Sequence, residues 1–241
     1  MSAGRGALDR SMRSVVVAVV MVATGAGAAG AAPWTVAAKG GVVIDWSAGA
    51  LRASGVGPAD RHAPSPAVAR VAARRAAVAQ ARARLAAAAR ALPVAAGGTV
   101  GDGVDAAPAA AARFAAELER APVVGFDLHT DGSARVTVAL GIEAVRQAMT
   151  GPRPAAIDDG PLVIWIVAAA ATSPAVDPTI AVGGARWHGP VLWVRDRADA
   201  PVAPGAIEAR AVAATAGVLT VSGPAAPPPA GALVVVVVPE K

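Results

Sequence analysis

The sequence predicts an α+β fold: a long Ala- and Arg-rich helix packed on a small antiparallel sheet, followed by a mostly-β C-terminal half. Three observations point there. Residues 67–92 hold Ala and Arg in bulk with no Gly, Pro or acidic residue, and both dominant types rank high in helix propensity. Short Val-rich runs bounded by turn residues flank that stretch on both sides, the pattern of paired strands. Beyond residue 160 the chain turns to apolar runs such as Leu162 to Ala170 and Val234 to Val238, which suit strands inside a sheet.

Taken in order, the chain opens as an export leader. Arg5, Arg10 and Arg13 form a positive start, residues 14–23 an apolar core, and Ala29-Gly30-Ala31 an A-x-A-like cleavage site. A membrane span is the rival reading, but the firmly apolar part is about ten residues, short of the ~20 that a span needs. Residues 1–31 are therefore read as a signal peptide, and the mature chain from Ala32 is expected to be soluble in the periplasm or outer envelope, with no transmembrane span. The chain has no Cys, which excludes a lipidated cysteine, a disulfide and thiol chemistry. Loss of the leader lowers the formal charge from +5 to +3, while residues 67–92 alone carry +6. Basicity confined to one helix, with few aromatics, argues against a nucleic-acid partner.

Residues 41–46 and 50–54 read as two strands about the Ser47-Ala48-Gly49 turn, ended by Gly55, Gly57 and Pro58. Residues 58–65 lead into the long helix, with Ser65 as N-cap, Pro66 in the first turn and Pro93 as the stop. Residues 95–108 are Gly- and Ala-rich and read as an exposed connection. A second helix is expected over 109–121, then a hairpin of 122–129 and 134–140 across Asp131-Gly132, then a short helix over 142–149. Residues 32–150 form the N-terminal α+β domain of this reading, 151–160 a linker, and 161–241 the mostly-β C-terminal domain. There the strands are 162–170, a segment reaching Val182, 186–187 and 191–195 flanking a His188-Gly189-Pro190 turn, 207–215, 218–222 and 234–238. They form a second sheet, packed on the first or lying in a separate lobe.

On the long helix Val71, Val78, Leu85 and Leu92 recur every seven residues as one apolar stripe, with Ala81 and Ala88 between. Arg75, Arg82 and Arg90 lie around one side, Arg70 and Arg84 around the other, and Arg74 falls near the stripe, where it must snorkel or find a carboxylate. Six Arg with no acidic residue in the same stretch form no ion pairs within the helix. They meet water, another segment, or an anionic partner.

Candidate chemistry is sparse. Asp127, His129 and Asp131 alternate along a strand, and carboxylate–imidazole–carboxylate donors suit a divalent metal such as Zn²⁺; equally, they are the polar tip of a hairpin. His62 and His188 read as exposed histidines, and His188 beside Trp187 is the one that would line a pocket. Ser47 lacks the first Gly of a nucleophile elbow. Gly55-Val56-Gly57 is followed by Pro58 and by Asp60 where a dinucleotide fold needs a third Gly. The glycines of 98–103 lack the Lys-Ser/Thr of a phosphate loop and read as turns. Glu117 and Glu119 point to different helix faces, and Asp158-Asp159 reads as a loop cap. No cofactor is expected.

Asp45-Trp46 with Gly49, then Ala53-Ser54-Gly55-Val56-Gly57, then the Ala/Arg helix ending in Leu92-Pro93-Val94, resemble a family of exported bacterial envelope proteins. That family includes small outer-membrane lipoproteins and the flagellar assembly proteins called P and T. Gly160-Pro161-Leu162-Val163-Ile164 and Pro174-Ala175-Val176-Asp177-Pro178-Thr179-Ile180 resemble its later strand and Pro segment. The lipidated Cys of the lipoprotein members has no counterpart here, so anchoring does not carry over. Trp165-Ile166-Val167 stand where polar residues are associated with the family's strand. The resemblance implies a non-enzymatic envelope protein with an assembly or scaffolding role, meeting envelope proteins or further copies of itself. The alternatives are a binding module for anionic glycans or lipid headgroups through Arg75, Arg82 and Arg90, and a metal-dependent hydrolase centred on Asp127, His129 and Asp131.

Overall fold

A computed structural model describes residues 34–38, 40–95, 97–152, 163–167, 172–182, 185–187, 189–200, 206–215, 218–222 and 232–238. The leader, most of the linker and His188 lie outside them. The fold is α+β. Its first sheet runs in the order β1 (Thr35–Ala38), β2 (Val42–Asp45), β3 (Ala50–Gly57), β5 (Ala134–Gly141), β4 (Val123–Leu128), antiparallel throughout. The β2–β3 turn closes where the Asp45 carboxylate accepts from the Ala48 N–H at 2.8 Å and Gly49 takes φ 61. Strand β1 was not foreseen.

The sheet has one dry face. Leu51, Ala53, Val136 and Val138 point to it and are buried, alternating with Arg52, Ser54, Arg135 and Thr137 on the open face. Helix α1 (Pro66–Arg90) covers the dry face. Ser65 caps it by accepting from the Val68 N–H at 3.3 Å, and Pro66 occupies the first turn.

Two expectations about this contact need correction. Gly55 and Gly57 do not end the strand; they continue β3 to residue 57. A Cβ on Gly55 would lie 2.1 Å from the Ala77 carbonyl oxygen, and one on Gly57 1.8 Å from that of Ala73. The missing side chains are what let the helix backbone lie directly on the strand. The helix also buries a face rotated from the expected stripe: Ala81, Leu85, Ala88 and Leu92 of that stripe are inside and Val78 is half-buried, but Val71 is not. Ala73, Ala77, Ala81, Leu85, Ala88 and Ala89 are inside, whereas Val71 is 59% exposed. Contact with glycine selects the smallest side chains, so alanine methyls outcompete the larger valines for the sheet.

Residues 95–108 are not simply a connection. Thr99 and Asp102 form a capping box that starts α2 (Val100–Asp105), which buries Val100 and Val104. Gly101 and Gly103 are helical, and only Gly98 of that run has positive φ. Helix α3 (Pro108–Arg120) follows, with Ala110 and Phe114 inside, and after the β4–β5 hairpin comes α4 (Ile142–Thr150).

The second sheet is mixed: β8 (Ala185–Trp187), β7 (Thr179–Val182), β11 (Val218–Ser222), β10 (Ile207–Thr215), β6 (Val163–Val167), β12 (Leu233–Val237), β9 (Val191–Val194). The interior strands β6 and β12 pair in parallel, and β12 carries the valine run with Val234, Val235 and Val236 fully buried. Strands β8 and β9 do not form a hairpin about residues 188–190 but stand at opposite ends of this order. A flat sheet of seven strands would hold them roughly 29 Å apart, and the three linking residues span at most ~14 Å. The sheet therefore curls until its edges are near one another.

The halves touch among the described residues. The Ala95 and Val176 backbones are bonded at 3.1 Å, and Leu192 lies 3.2 Å from where a Gly49 Cβ would stand. The Arg195 guanidinium sits 5.1 Å from the Trp34 ring centroid. One cluster of buried side chains runs from Leu51 and Leu85 through Trp46 and Trp193 to Val234. No helix among the described residues is long and apolar enough to cross a membrane.

Candidate functional site

Asp127, His129 and Asp131 each sit at the β4–β5 hairpin. Asp127 sits on the open sheet face, paired in register with Arg135. The His129 backbone closes the tip against Ser133 at 2.9 Å. The Asp131 carboxylate turns inward to accept from the Ser133 hydroxyl at 2.7 Å and its N–H at 2.9 Å. Those bonds, hydroxyl first, hold Asp131 below the ordinary carboxylate pKa. Among the described residues no group of three His, Cys, Asp or Glu is arranged to hold a metal. His62 is exposed in its loop beside Asp60. The serines near the turn signals are structural: Ser47 Oγ accepts from the Trp34 N–H at 2.9 Å, and Ser54 and Thr137 bond across the strands at 2.9 Å.

The arginines of α1 divide by partner. Arg82 pairs with Glu119 of α3 at 2.6 Å, and Arg90 with Asp105 of α2. Arg84 reaches the Ser54 carbonyl. Arg75 is exposed with no carboxylate within reach among the described residues. Arg74 found neither water alone nor a carboxylate; its guanidinium lies 5.3 Å from the Phe126 ring centroid. Thus the three arginines Arg75, Arg82 and Arg90 do not converge on a shared empty charge site, because two of them already face carboxylates.

What the structure does assemble is a groove. It runs between α1 and the C-terminal half of α3 and has a volume of about 680 Å³. Its walls are Val71, Val78, Ala115 and Leu118, with Arg74, Arg75 and Arg82 along one rim. Arg82, although bonded to Glu119, keeps its Nε sheltered with no acceptor. Where α3 stops at Arg120 the chain drops into β4, the outer strand of the first sheet. Val123, Phe126 and Leu128 pair with Val138, Val136 and Ala134, so they share the helix-covered face. All three are nevertheless exposed, because α1 covers β3 and β5 and no other helix among the described residues lies over β4. Exposed Val68 and Val71 extend this apolar ground along α1.

A second, smaller cleft of about 210 Å³ lies where the halves meet, with Trp46, Glu143, Arg146, Asp177 and Trp193 in its lining. Its buried arginine is spoken for: Arg146 grips Glu143 at 2.8–3.0 Å and donates to Thr150 at 2.6 Å.

The fold thus defines an α+β protein that carries an apolar, cation-rimmed groove between α1 and α3. No family model matches the chain, and no curated protein or solved structure matches it either. Sequence reasoning missed the groove because it assigned the valines of α1 to the core. Their seven-residue spacing was the visible signal, and the glycines at 55 and 57 were the sign that alanine, not valine, would meet the sheet.

Proposed function

We propose that this chain is a non-enzymatic, exported envelope protein that acts in assembly or scaffolding through protein–protein contacts. The observation that supports it is the exposed apolar ground of Val68, Val71, Val123, Phe126 and Leu128, which lies beside the groove between α1 and α3. Solvent-facing apolar surface of this contiguity is characteristic of an interaction site. The leader-like residues 1–31 and the partial resemblance to envelope assembly proteins supply the compartment.

Cell fractionation followed by cross-linking and light scattering tests the proposal. The expected result is a processed chain in the envelope fraction, recovered in complexes larger than the monomer. A chain confined to the cytosol, or strictly monomeric with no cross-linked species, contradicts it. Arg75, with no carboxylate in reach among the described residues, favours a second reading in which anionic glycans or lipid headgroups bind this face. That reading requires binding that weakens with salt and is lost in Arg75→Ala.

A further inference from the structure

We infer that the groove and the partly exposed strand beside it take one helix of a protein partner, and that this helix is amphipathic and acidic. This rests on the protein–protein reading above and names the partner's chemistry.

The argument begins with coverage. A helix about 10 Å across shields roughly two strands spaced ~4.8 Å apart. Helix α1 shields β3 and β5 and leaves the dry-face side chains of β4 partly exposed, with the Arg74 guanidinium over Phe126. Phe126 and Leu128 are 47% and 43% exposed although they point to the side that α1 covers. Helix α3 ends at Arg120, where the chain enters β4. The groove is lined by Val71 and Val78 of α1 and by Leu118 of α3, and it adjoins β4 through Arg74, which lines it and lies 5.3 Å from the Phe126 ring centroid. A helix with apolar residues at i, i+3, i+4 and i+7 fits such a trough.

Charge selects among occupants. Among the described residues Arg74 and Arg75 have no carboxylate within reach, and Arg82 keeps about a quarter of its side chain exposed beside Glu119. Among the described residues Glu119 is the one acidic side chain lining the groove, and Arg82 already engages it. A second copy meeting this face about a two-fold axis would set arginines against arginines. Residues 1–31 bring Arg5, Arg10 and Arg13, again the wrong sign. A partner helix with Glu or Asp flanking its apolar face satisfies both the apolar floor and the cationic rim.

The test uses the full chain and a fluorescein-labelled synthetic helix of about five turns, with Leu on one face and Glu on the others, read by anisotropy. A sister peptide carries Lys for every Glu. The Glu peptide is expected to bind, and its affinity to fall about tenfold in Arg75→Glu and in Val71→Asp. Both residues are exposed, so these variants keep the fold. Arg135→Glu, on the open sheet face, is expected to leave binding unchanged. Equal binding of the two peptides, binding of neither, or no effect of Arg75→Glu overturns the inference. So does flotation of the chain with phosphatidylglycerol vesicles that the Glu peptide does not compete away, which would assign the surface to lipid. Failure here leaves cross-linked envelope complexes in place, whereas absence of any such complex removes the broader reading as well.

Discussion

Replacing Gly55 with Ala should unseat the long helix. The added Cβ would stand 2.1 Å from the Ala77 carbonyl oxygen and 2.6 Å from the Ala81 nitrogen, about 1.3 Å inside the 3.4 Å at which ordinary contact begins. Both obstacles are backbone, so no rotamer change relieves them. The helix must lift, which loosens Ala77, Ala81 and Leu85, all fully buried. Overpacking of this kind costs ~1–3 kcal/mol when side chains can yield, and we place this case at the upper end, about 3 kcal/mol. Gly→Ala at a tolerant site instead stabilises by ~0.4–1 kcal/mol through the unfolded chain, so the net loss is about 2 kcal/mol. The matched control is Gly103→Ala in α2, where the new Cβ meets only the Met149 side chain at 3.6 Å. That variant should gain ~0.5–1 kcal/mol. Urea denaturation followed by far-UV circular dichroism measures both through the shift in midpoint. A Gly55→Ala midpoint equal to or above that of the parent would refute the account of how α1 meets the sheet.

Other outcomes follow from particular contacts. Arg146→Met removes a buried guanidinium from Glu143 and Thr150; with Glu143 partly exposed, the loss in urea unfolding should be ~1–3 kcal/mol. A double-mutant cycle on Arg74 and Phe126 should return a coupling of ~0.5–1 kcal/mol for their ring contact, and no coupling would mean the guanidinium leaves the ring in solution. The Thr99 hydroxyl and N–H, together with Arg90, hold the Asp102 carboxylate below its ordinary pKa. A depressed folded pKa means the stabilisation is complete above the unfolded value and is lost as pH falls through the folded one. Asp102→Ala should therefore weaken amide protection in α2 at neutral pH, with the difference from the parent vanishing in strong acid. A difference that persists there would contradict the capping role.

How far the sequence carried these conclusions varies by element. Helix α1 was legible to within two residues because its signals are local: Ser65, Pro66, an alanine run, Pro93. The β4–β5 hairpin was equally plain from Asp131-Gly132. Helix α2 hid behind its glycines, although Thr99 and Asp102 at capping-box spacing marked its start. The C-terminal part of the α1 stripe was read correctly, but Val71 was misplaced because burial near the start of α1 depends on Gly55 and Gly57, more than ten residues away in the chain. Asp127, His129 and Asp131 looked convergent on paper, but the turn aims Asp131 at Ser133. Separation of β8 from β9 could not be read locally, since it follows from how the whole second sheet is ordered. The groove belongs to the same class of feature: Val71, Phe126 and Leu118 come from three elements, and no window of sequence contains them together.

The claim that the α1–β4 side is the working surface can be met head-on by photo-cross-linking in cells, with one benzophenone side chain placed at Val71 and, separately, at Arg135 on the open face of the same sheet. The expected result is a discrete protein adduct from position 71 and none from position 135. Adducts from position 135 alone, or at equal yield from both, would contradict it.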